Sequence, residues 1–280
     1  MISLLVDQIK KFYLSHESLL QSLHPGLNLH TLTREIEWFD TLQSSKLNPK
    51  EIFDELLSGK PLAFILGHQF FYDSFFKVND STLIPRLETE LIIERALELI
   101  KKNNLKEIAD IGCGSGIIGL TLAKNADLNS VMLTDISKGA IELSKENAYL
   151  HQYQLPKTVK IDFHLGDRLD GITKQFDFIV SNPPYIKKQA DQALVHPQVL
   201  SYEPSSALFL EDAEYNQWFK LFFEQVLKHL TPGGYFLMEG HEAHLDELAA
   251  LMGSLTGFSD INIINDLTGR ARFIESRKNG

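Results

Sequence analysis

At 280 residues, with 44% hydrophobic side chains and no apolar run near the roughly 18–20 residues of a membrane span, the chain can bury one large core or two modest ones. Its formal charge of −10, from 27 basic and 37 acidic residues, argues against a protein that grips nucleic acid through phosphates and favours a protein or small-molecule substrate. A lone cysteine, Cys113, excludes a disulfide framework or thiolate zinc cluster, and the N-terminus MISLLVDQIKKFYLS carries charges where a signal peptide is apolar, so a cytoplasmic location and no membrane partner are expected.

Leu4, Leu5, Ile9, Phe12 and Tyr13, then Leu32, Ile36 and Phe39, then Ile52, Phe53, Leu56 and Leu57 recur at three- and four-residue spacing. They predict three amphipathic helices between residue 2 and about residue 60, punctuated by His24-Pro25-Gly26 and Asn48-Pro49. Residues 1–75 carry six basic and nine acidic side chains, a net −3, which suits docking to a protein or covering a substrate as well as it suits packing alone. Over residues 59–78 the character changes, and the aromatics Phe70, Phe71, Tyr72, Phe75 and Phe76 predict a β-hairpin turning at Asp73-Ser74. The domain boundary is expected there, with a helical domain over 1–75 and a second domain over 76–280.

A helix is predicted from about Glu88 to Lys101, and from Lys106 strands and helices alternate. Strands are expected at 107–111, 130–135, 159–165, 176–181, 234–240, 261–265 and 272–275, with helices at 117–125, 138–151, 212–230 and 242–252. Such alternation makes a mostly parallel sheet covered by helices on both faces, and the last two strands are too close for a crossover, so they form a hairpin with one antiparallel strand. Residues 186–210 form the one long connection without clear periodicity, and it leaves the carboxyl end of a strand.

The junction 108–119, IADIGCGSGIIG, joins a buried strand to a helix through a glycine loop, where backbone approaches a ligand closely and free amides face it. Gly114, Gly116 and Gly119 satisfy the dinucleotide fingerprint G-x-G-x-x-G, while Asp110-x-Gly112-x-Gly114-x-Gly116 resembles the loop of S-adenosylmethionine-dependent methyltransferases. Asp135, closing the next strand, is placed to accept ribose hydroxyls, or alternatively to cap the helix beginning near Ser137. Cys113 inside the loop reads as a small filler, since no base neighbours it in sequence.

Asn182-Pro183-Pro184-Tyr185 follows the strand FDFIVS at the carboxyl edge of the sheet. Two prolines stiffen the turn and remove two amide donors, leaving the Asn182 side-chain oxygen and the Pro183 carbonyl as fixed acceptors. An acceptor pair beside an aromatic ring suits a planar group bearing NH₂, with Tyr185 on its face and its nitrogen aimed at an electrophile.

The order of Gly112–Gly116, Asp135 and Asn182–Tyr185 resembles class I methyltransferases acting on exocyclic or amide nitrogen. Ile84-Pro85-Arg86 with Thr89-Glu90, the stretch GKPLAFILG at 59–67, and Tyr202-Glu203-Pro204 make the chain similar to the release factor glutamine methyltransferases in particular. That resemblance implies an α/β, Rossmann-like fold with a mostly parallel seven-stranded sheet, one antiparallel terminal strand and a small N-terminal helical domain that recognises the substrate. It implies methyl transfer from S-adenosylmethionine, leaving S-adenosylhomocysteine, to the glutamine side-chain nitrogen of the Gly-Gly-Gln motif of peptide chain release factors, modulating translation termination. By motif, Gly112, Cys113, Gly114, Ser115, Gly116 and Asp135 would bind the cofactor. Asn182 would touch both cofactor and substrate, Pro183, Pro184 and Tyr185 would hold the glutamine, and Asn182, Pro183 and Tyr185 would carry the chemistry. Asp167, where an acid near the adenine is expected, and Arg168, at a position more often aromatic or apolar, would complete the cofactor-binding set.

Alternatives sharing the motif are methylation of a ribosomal-protein glutamine or of adenine N6, the latter disfavoured by charge; an NAD-dependent oxidoreductase using the glycines and a non-enzymatic binding module remain further readings. His241-Glu242-Ala243-His244 is one residue short of the zinc motif H-E-x-x-H and reads as a solvated helix start, so no metal is expected. Lys101-Lys102 and Lys187-Lys188 read as solvated pairs.

Overall fold

The computed structural model describes residues 2–42 and 48–280. Residues 43–47, inside the stretch expected to belong to the helical domain, lie outside the described residues. The chain divides into two units, one of residues 1–68 and 195–203, the other of 69–194 and 204–280.

The first unit holds α1 (Ile2–Leu23), α2 (Leu29–Leu42), α3 (Pro49–Leu57), α4 (Leu62–Leu66) and, numbered in chain order, the short α8 (Pro197–Tyr202). Ile9, Leu20, Leu32, Ile36 and Leu56 are fully buried in its core, and Phe12 stacks on Phe53 with ring centroids 4.0 Å apart, so the helical spacing reports a real buried face. Leu4 is an exception at 65% exposed. Asn48 caps α3 by accepting from the Lys50 amide, and Pro49 occupies the first turn, where its missing N–H costs nothing. The sequence reading missed α4, because one turn is too short for periodicity to register.

Residues 195–203 join this unit although they are read far along the chain. The Gln198 side-chain amide donates to His24 Nδ1 (2.7 Å) and to the Gly59 carbonyl (2.8 Å), while His24 Nε2 sits 2.8 Å from the Leu56 carbonyl. An imidazole donating from Nε2 and accepting at Nδ1 is neutral, and burial does lower its pKa. Tyr202 also donates to the Ser58 carbonyl (3.2 Å). The stretch GKPLAFILG and the Tyr202-Glu203 pair, which share no sequence neighbourhood, thus belong to one packed body.

The hairpin of β1 (His68–Phe71) and β2 (Ser74–Lys77), in the second unit from Gln69 onward, leads through a 3₁₀ turn, Leu87–Thr89, to α5 (Glu90–Asn103). The hairpin turns at Tyr72-Asp73, one residue earlier than expected, with Tyr72 at φ +58°. Phe71 and Phe76 are buried in the core beneath α5, and the Lys77 amide donates to Asn147 (2.7 Å), so the hairpin is part of this unit. The boundary accordingly lies at His68/Gln69, not at 75/76.

Next come β3 (Glu107–Ile111), α6 (Ile117–Asn125), β4 (Ser130–Asp135), α7 (Lys138–Leu150), β5 (Lys160–Leu165) and β6 (Phe176–Ser181). The connection after β6 holds β7 (Ile186–Lys187) and β8 (Phe209–Leu210), which pair in parallel. The chain ends with α9 (Tyr215–His229), β9 (Leu230–Glu239), α10 (Leu245–Gly253), β10 (Phe258–Asn265) and β11 (Ala271–Lys278). The seven-stranded sheet runs β10-β11-β9-β6-β3-β4-β5. Only β11 runs against the direction of the other six strands, inserted between β9 and β10 as the expected terminal hairpin requires.

Side-chain alternation divides the core. Ile108, Phe178 and Val180 point to α5 and α6, whereas Ala109, Ile111 and Ile179 point to Phe219, Phe222 and Phe223 of α9 and Leu248 of α10. With both faces covered, the carboxyl edge of the parallel strands is left for ligands. Among the described residues, no helix is long and apolar enough to cross a membrane.

Candidate active site

The loop after β3 takes a shape that few residues other than glycine adopt. Gly112, Gly114 and Gly116 all have positive φ, at +68°, +54° and +83°, and the Gly116 amide closes a turn on the Cys113 carbonyl (2.8 Å). Cys113 is buried, and burial pushes its thiol pKa well up, as expected of a filler and not a nucleophile. Ser115 is buried too, its carbonyl held by Asn147 (2.8 Å). Gly119 serves packing: a Cβ there would lie 2.8 Å from Leu133, so α6 sits as close to the sheet as a glycine allows.

Asp110 lies under this loop, fully buried, with Oδ2 accepting from the Gly119 amide (2.8 Å) and Oδ1 without a partner. Burial raises its pKa from 3.8 to about 7, against the Gly119 bond. Because the folded pKa lies above the unfolded one, this group's favourable contribution is complete below about pH 3.8 and is lost as pH rises through about 7. Asp110→Asn keeps an acceptor for Gly119 and cannot ionise. In thermal melts without ligand, the variant is expected to exceed wild type at pH 8 by a few kcal/mol at most, taking about 1.4 kcal/mol per pKa unit, with the gap closing toward pH 4. A pH-independent gap would show that Asp110 does not titrate in this range.

A cavity of about 320 Å³ opens at the carboxyl edge, in the size range of small-molecule sites. Of the residues singled out in the sequence, Gly112, Gly114, Asp135, Asp167, Arg168, Asn182, Pro183 and Pro184 line it, whereas Cys113, Ser115, Gly116 and Tyr185 stand behind the wall. Asp135 accepts from the Gly114 amide through Oδ2 (2.9 Å) and from the Ser137 amide through Oδ1 (2.8 Å), which spans the two strand-to-helix loops. The cap of α7 is Ser137 itself, accepting from Ala140, so the capping alternative for Asp135 does not hold. A carboxylate has lone pairs beyond these two bonds, and Asp135 can still accept hydroxyls from the cavity side.

Arg168 turns back on the chain at φ +56°. Its guanidinium forks onto Asp167 (3.0 and 2.6 Å) and lies 5.0 Å over the Trp218 ring. Asp167 therefore has both oxygens engaged by its neighbour. The cavity wall there is built by Arg168, Trp218 of α9 and the exposed Ile136, the last two apolar. Trp218 was legible in the sequence only as part of a helix face.

The Asn182–Tyr185 turn is fixed from behind. Ser181 donates to the Ile111 carbonyl (2.7 Å), tying the ends of β6 and β3, and Tyr215 donates to the Tyr185 carbonyl (3.1 Å). The Asn182 amide nitrogen donates to Glu239 Oε2 (3.1 Å) and Thr89 Oγ1 (3.3 Å), and Tyr185 donates to Glu239 Oε1 (3.1 Å). Burial and the Glu239 carboxylate hold the Tyr185 phenol well above its ordinary pKa. Glu239 itself, at the end of β9, was given no role by the sequence reading. Its signal was the one that marked Asp135: an acid closing an apolar strand.

The remaining motifs do different work. His244 lies before α10 and is bonded to Asp191 (2.8 Å), so it is engaged and not a solvated helix start. Among the described residues no group of three or more metal-ligating side chains is found. Lys187 pairs with Glu247 (3.1 Å) over the Tyr215 ring, and Lys188 pairs with Glu211, so neither is free in solvent.

A glycine loop, a strand-end acid and an Asn-Pro-Pro-Tyr turn on a sheet of this order define a class I methyltransferase. The catalytic domain of hMettl16, solved with a MAT2A 3′UTR hairpin, shares this fold at a TM-score of 0.56 and 18% identity over 73% of this chain and 74% of that one. The methyltransferase small domain family model matches residues 89–203. The release factor glutamine methyltransferase of Koribacter versatilis is 38% identical over 81% of this chain and 79% of its own length. That of Lactococcus lactis is 34% identical over 88% and 90%. The chain belongs to the release factor glutamine methyltransferase family, and its enzymatic class is that of a methyltransferase.

Proposed function

We propose that the protein transfers a methyl group from S-adenosylmethionine to the side-chain amide nitrogen of the glutamine in the Gly-Gly-Gln motif of peptide chain release factors, in the cytoplasm. The observation that carries this reading is the Asn182-Pro183-Pro184 turn, lining the same cavity as the glycine loop and Asp135. The cavity fits the cofactor. Gly112 and Gly114 leave their loop open where side chains would stand, Asp135 offers an acceptor for hydroxyls, and Ile136 and Trp218 offer apolar wall. Bound S-adenosylmethionine supplies a methyl group on a sulfonium, with the thioether S-adenosylhomocysteine as leaving group.

The chain's residues deal with the nucleophile. An amide nitrogen is weak because its lone pair is delocalised into the carbonyl. Asn182 Oδ1 and the Pro183 carbonyl accept its two N–H bonds, favour positive charge on the nitrogen and hold it in line with the methyl. Tyr185, held through Glu239 behind the wall, supports the turn that carries both acceptors. No strong base is required, since the N-methylated amide is strongly acidic and releases its proton after transfer.

One amide offers too little surface to select a large protein. A stable complex needs an interface of order 1,000 Å² or more, and we assign that contact to the helical unit, whose residues the chemistry does not use. Incubation with labelled cofactor is expected to mark release factor, and not release factor lacking the motif glutamine, a ribosomal protein pool or DNA. The kcat/KM for intact release factor is expected to exceed that for a short Gly-Gly-Gln peptide by well over tenfold, a factor worth about 1.4 kcal/mol. Label in DNA alone would overturn the substrate, and equal kcat/KM values would remove recognition outside the cavity.

A further inference from the structure

Glu239 is the last residue of β9, which runs parallel to β6 with Met238 beside Ser181, so Glu239 comes beside Asn182, the first residue after β6. Its side chain is 1% exposed, where a carboxylate is costly and an apolar residue of similar volume would serve packing better. Burial raises its pKa, opposed by Thr89, Tyr185 and the nearby charge of Arg272. Its hydrogen-bond partners are all donors: Thr89 Oγ1 at 2.8 Å, Asn182 Nδ2 at 3.1 Å and Tyr185 OH at 3.1 Å. Thr89 in turn accepts a further contact from Asn182 Nδ2 at 3.3 Å.

A carboxylate only accepts, so it dictates which way each neighbour points. This matters most for Asn182. A primary amide turned by 180° keeps its shape and exchanges acceptor for donor. Turned so, Asn182 would present NH₂ to a substrate NH₂, donor against donor, and the nitrogen would lose the acceptor that activates it. With Nδ2 held inward, Oδ1 is the atom left for the substrate. The other oxygen of the same carboxylate fixes the Tyr185 ring.

We propose that Glu239 is a positioning residue for methyl transfer, setting the sense of the Asn182 amide and the direction of the Tyr185 ring from behind the turn. The proposal rests on the glutamine-methylating reading of the site. Glu239 touches neither reacting atom in this arrangement. It acts through Asn182 and Tyr185, with Thr89 as its accessory.

The test is single-turnover methyl transfer from labelled S-adenosylmethionine to intact release factor, with S-adenosylhomocysteine affinity and melting temperature measured alongside. Glu239→Met fills the volume without accepting a hydrogen bond. It leaves Thr89, Asn182 and Tyr185 without their acceptor and is expected to melt below wild type, yet to bind S-adenosylhomocysteine unchanged and to lose roughly 10²-fold in rate, as misplacement of a reacting group does, with KM little altered. Glu239→Gln keeps one acceptor oxygen for Thr89 and Asn182 and is expected to fall between the two. In an Asn182→Ala background the Glu239→Met loss should largely vanish, because the group it orients is gone. Multiplicative losses in the double variant, or a wild-type rate in Glu239→Met, would overturn the positioning role. Should Glu239→Met not fold, the same cycle with Glu239→Gln decides on the same terms. If wild type labels no release factor, the functional reading fails and the proposal with it; transfer that survives in Glu239→Met overturns the positioning role alone.

Discussion

Asn182→Ala is expected to lower the rate of methyl transfer by roughly 10²–10³-fold, the loss typical when one preorganised hydrogen-bonding group is removed from a reacting centre, while S-adenosylhomocysteine affinity stays close to wild type. The asymmetry follows from where the residue stands. Its backbone is set by Ser181, bonded to the Ile111 carbonyl at 2.7 Å, and by two prolines, so truncating the side chain leaves the turn in place. The glycine loop and Asp135, which line the cavity, are held by their own bonds at Gly114 and Ser137. In the proposed reaction, what disappears is the acceptor for one substrate N–H, a group that strengthens its bond as charge develops on nitrogen. Asn182→Asp is a poor rescue despite retaining oxygen, since it sets a second acid 3.1 Å or so from where Glu239 now accepts from Nδ2. Near-normal turnover in Asn182→Ala would remove Asn182 from the chemistry and shift the burden to the Pro183 carbonyl.

Much of this architecture was legible in the sequence because it obeys local rules. Strands β3, β4 and β6 are short apolar runs ended by turn residues, and α9 repeats its aromatics with helical spacing, so burial and period agree. The antiparallel insertion of β11 followed from chain length alone, since five residues between the last two strands cannot hold a crossover helix. The parts that escaped are those decided at long range. Helix α4 has a single turn. The 195–203 segment carries no period, and its place beside α1 and α3 depends on Gln198 reaching a histidine 174 residues earlier in the chain. Glu239 and Thr89 are 150 residues apart, and only the sheet order brings them together behind Asn182. Arg168 illustrates the same limit. At a position where the family resemblance led us to expect an aromatic or apolar side chain, the wall includes a guanidinium stacked on Trp218, fifty residues away on α9.

Asp135 is where cofactor binding is expected to be most sensitive. One carboxylate holds the amides of Gly114 and Ser137, the two loops that form the cavity floor, and faces the cavity with lone pairs to spare. Asp135→Ala removes two charge-assisted bonds from the loops and an acceptor from the ligand. At about 1.5–3 kcal/mol for a hydrogen bond to a charged group, S-adenosylhomocysteine affinity should fall by roughly 10²-fold in calorimetry. Asp135→Asn keeps one acceptor oxygen but replaces the other with a donor, which faces an amide donor in either orientation of the side chain. Its loss should be smaller than that of alanine and still measurable. Burial raises the Asp135 pKa while the amides of Ser137, Gly114 and Ile136 oppose the shift, so the carboxylate is sustained by the loops it supports. Wild-type affinity in Asp135→Ala would confine this residue to loop support. Thermal stabilisation of the wild-type protein by NAD and not by S-adenosylhomocysteine would assign the glycine loop to a different cofactor altogether.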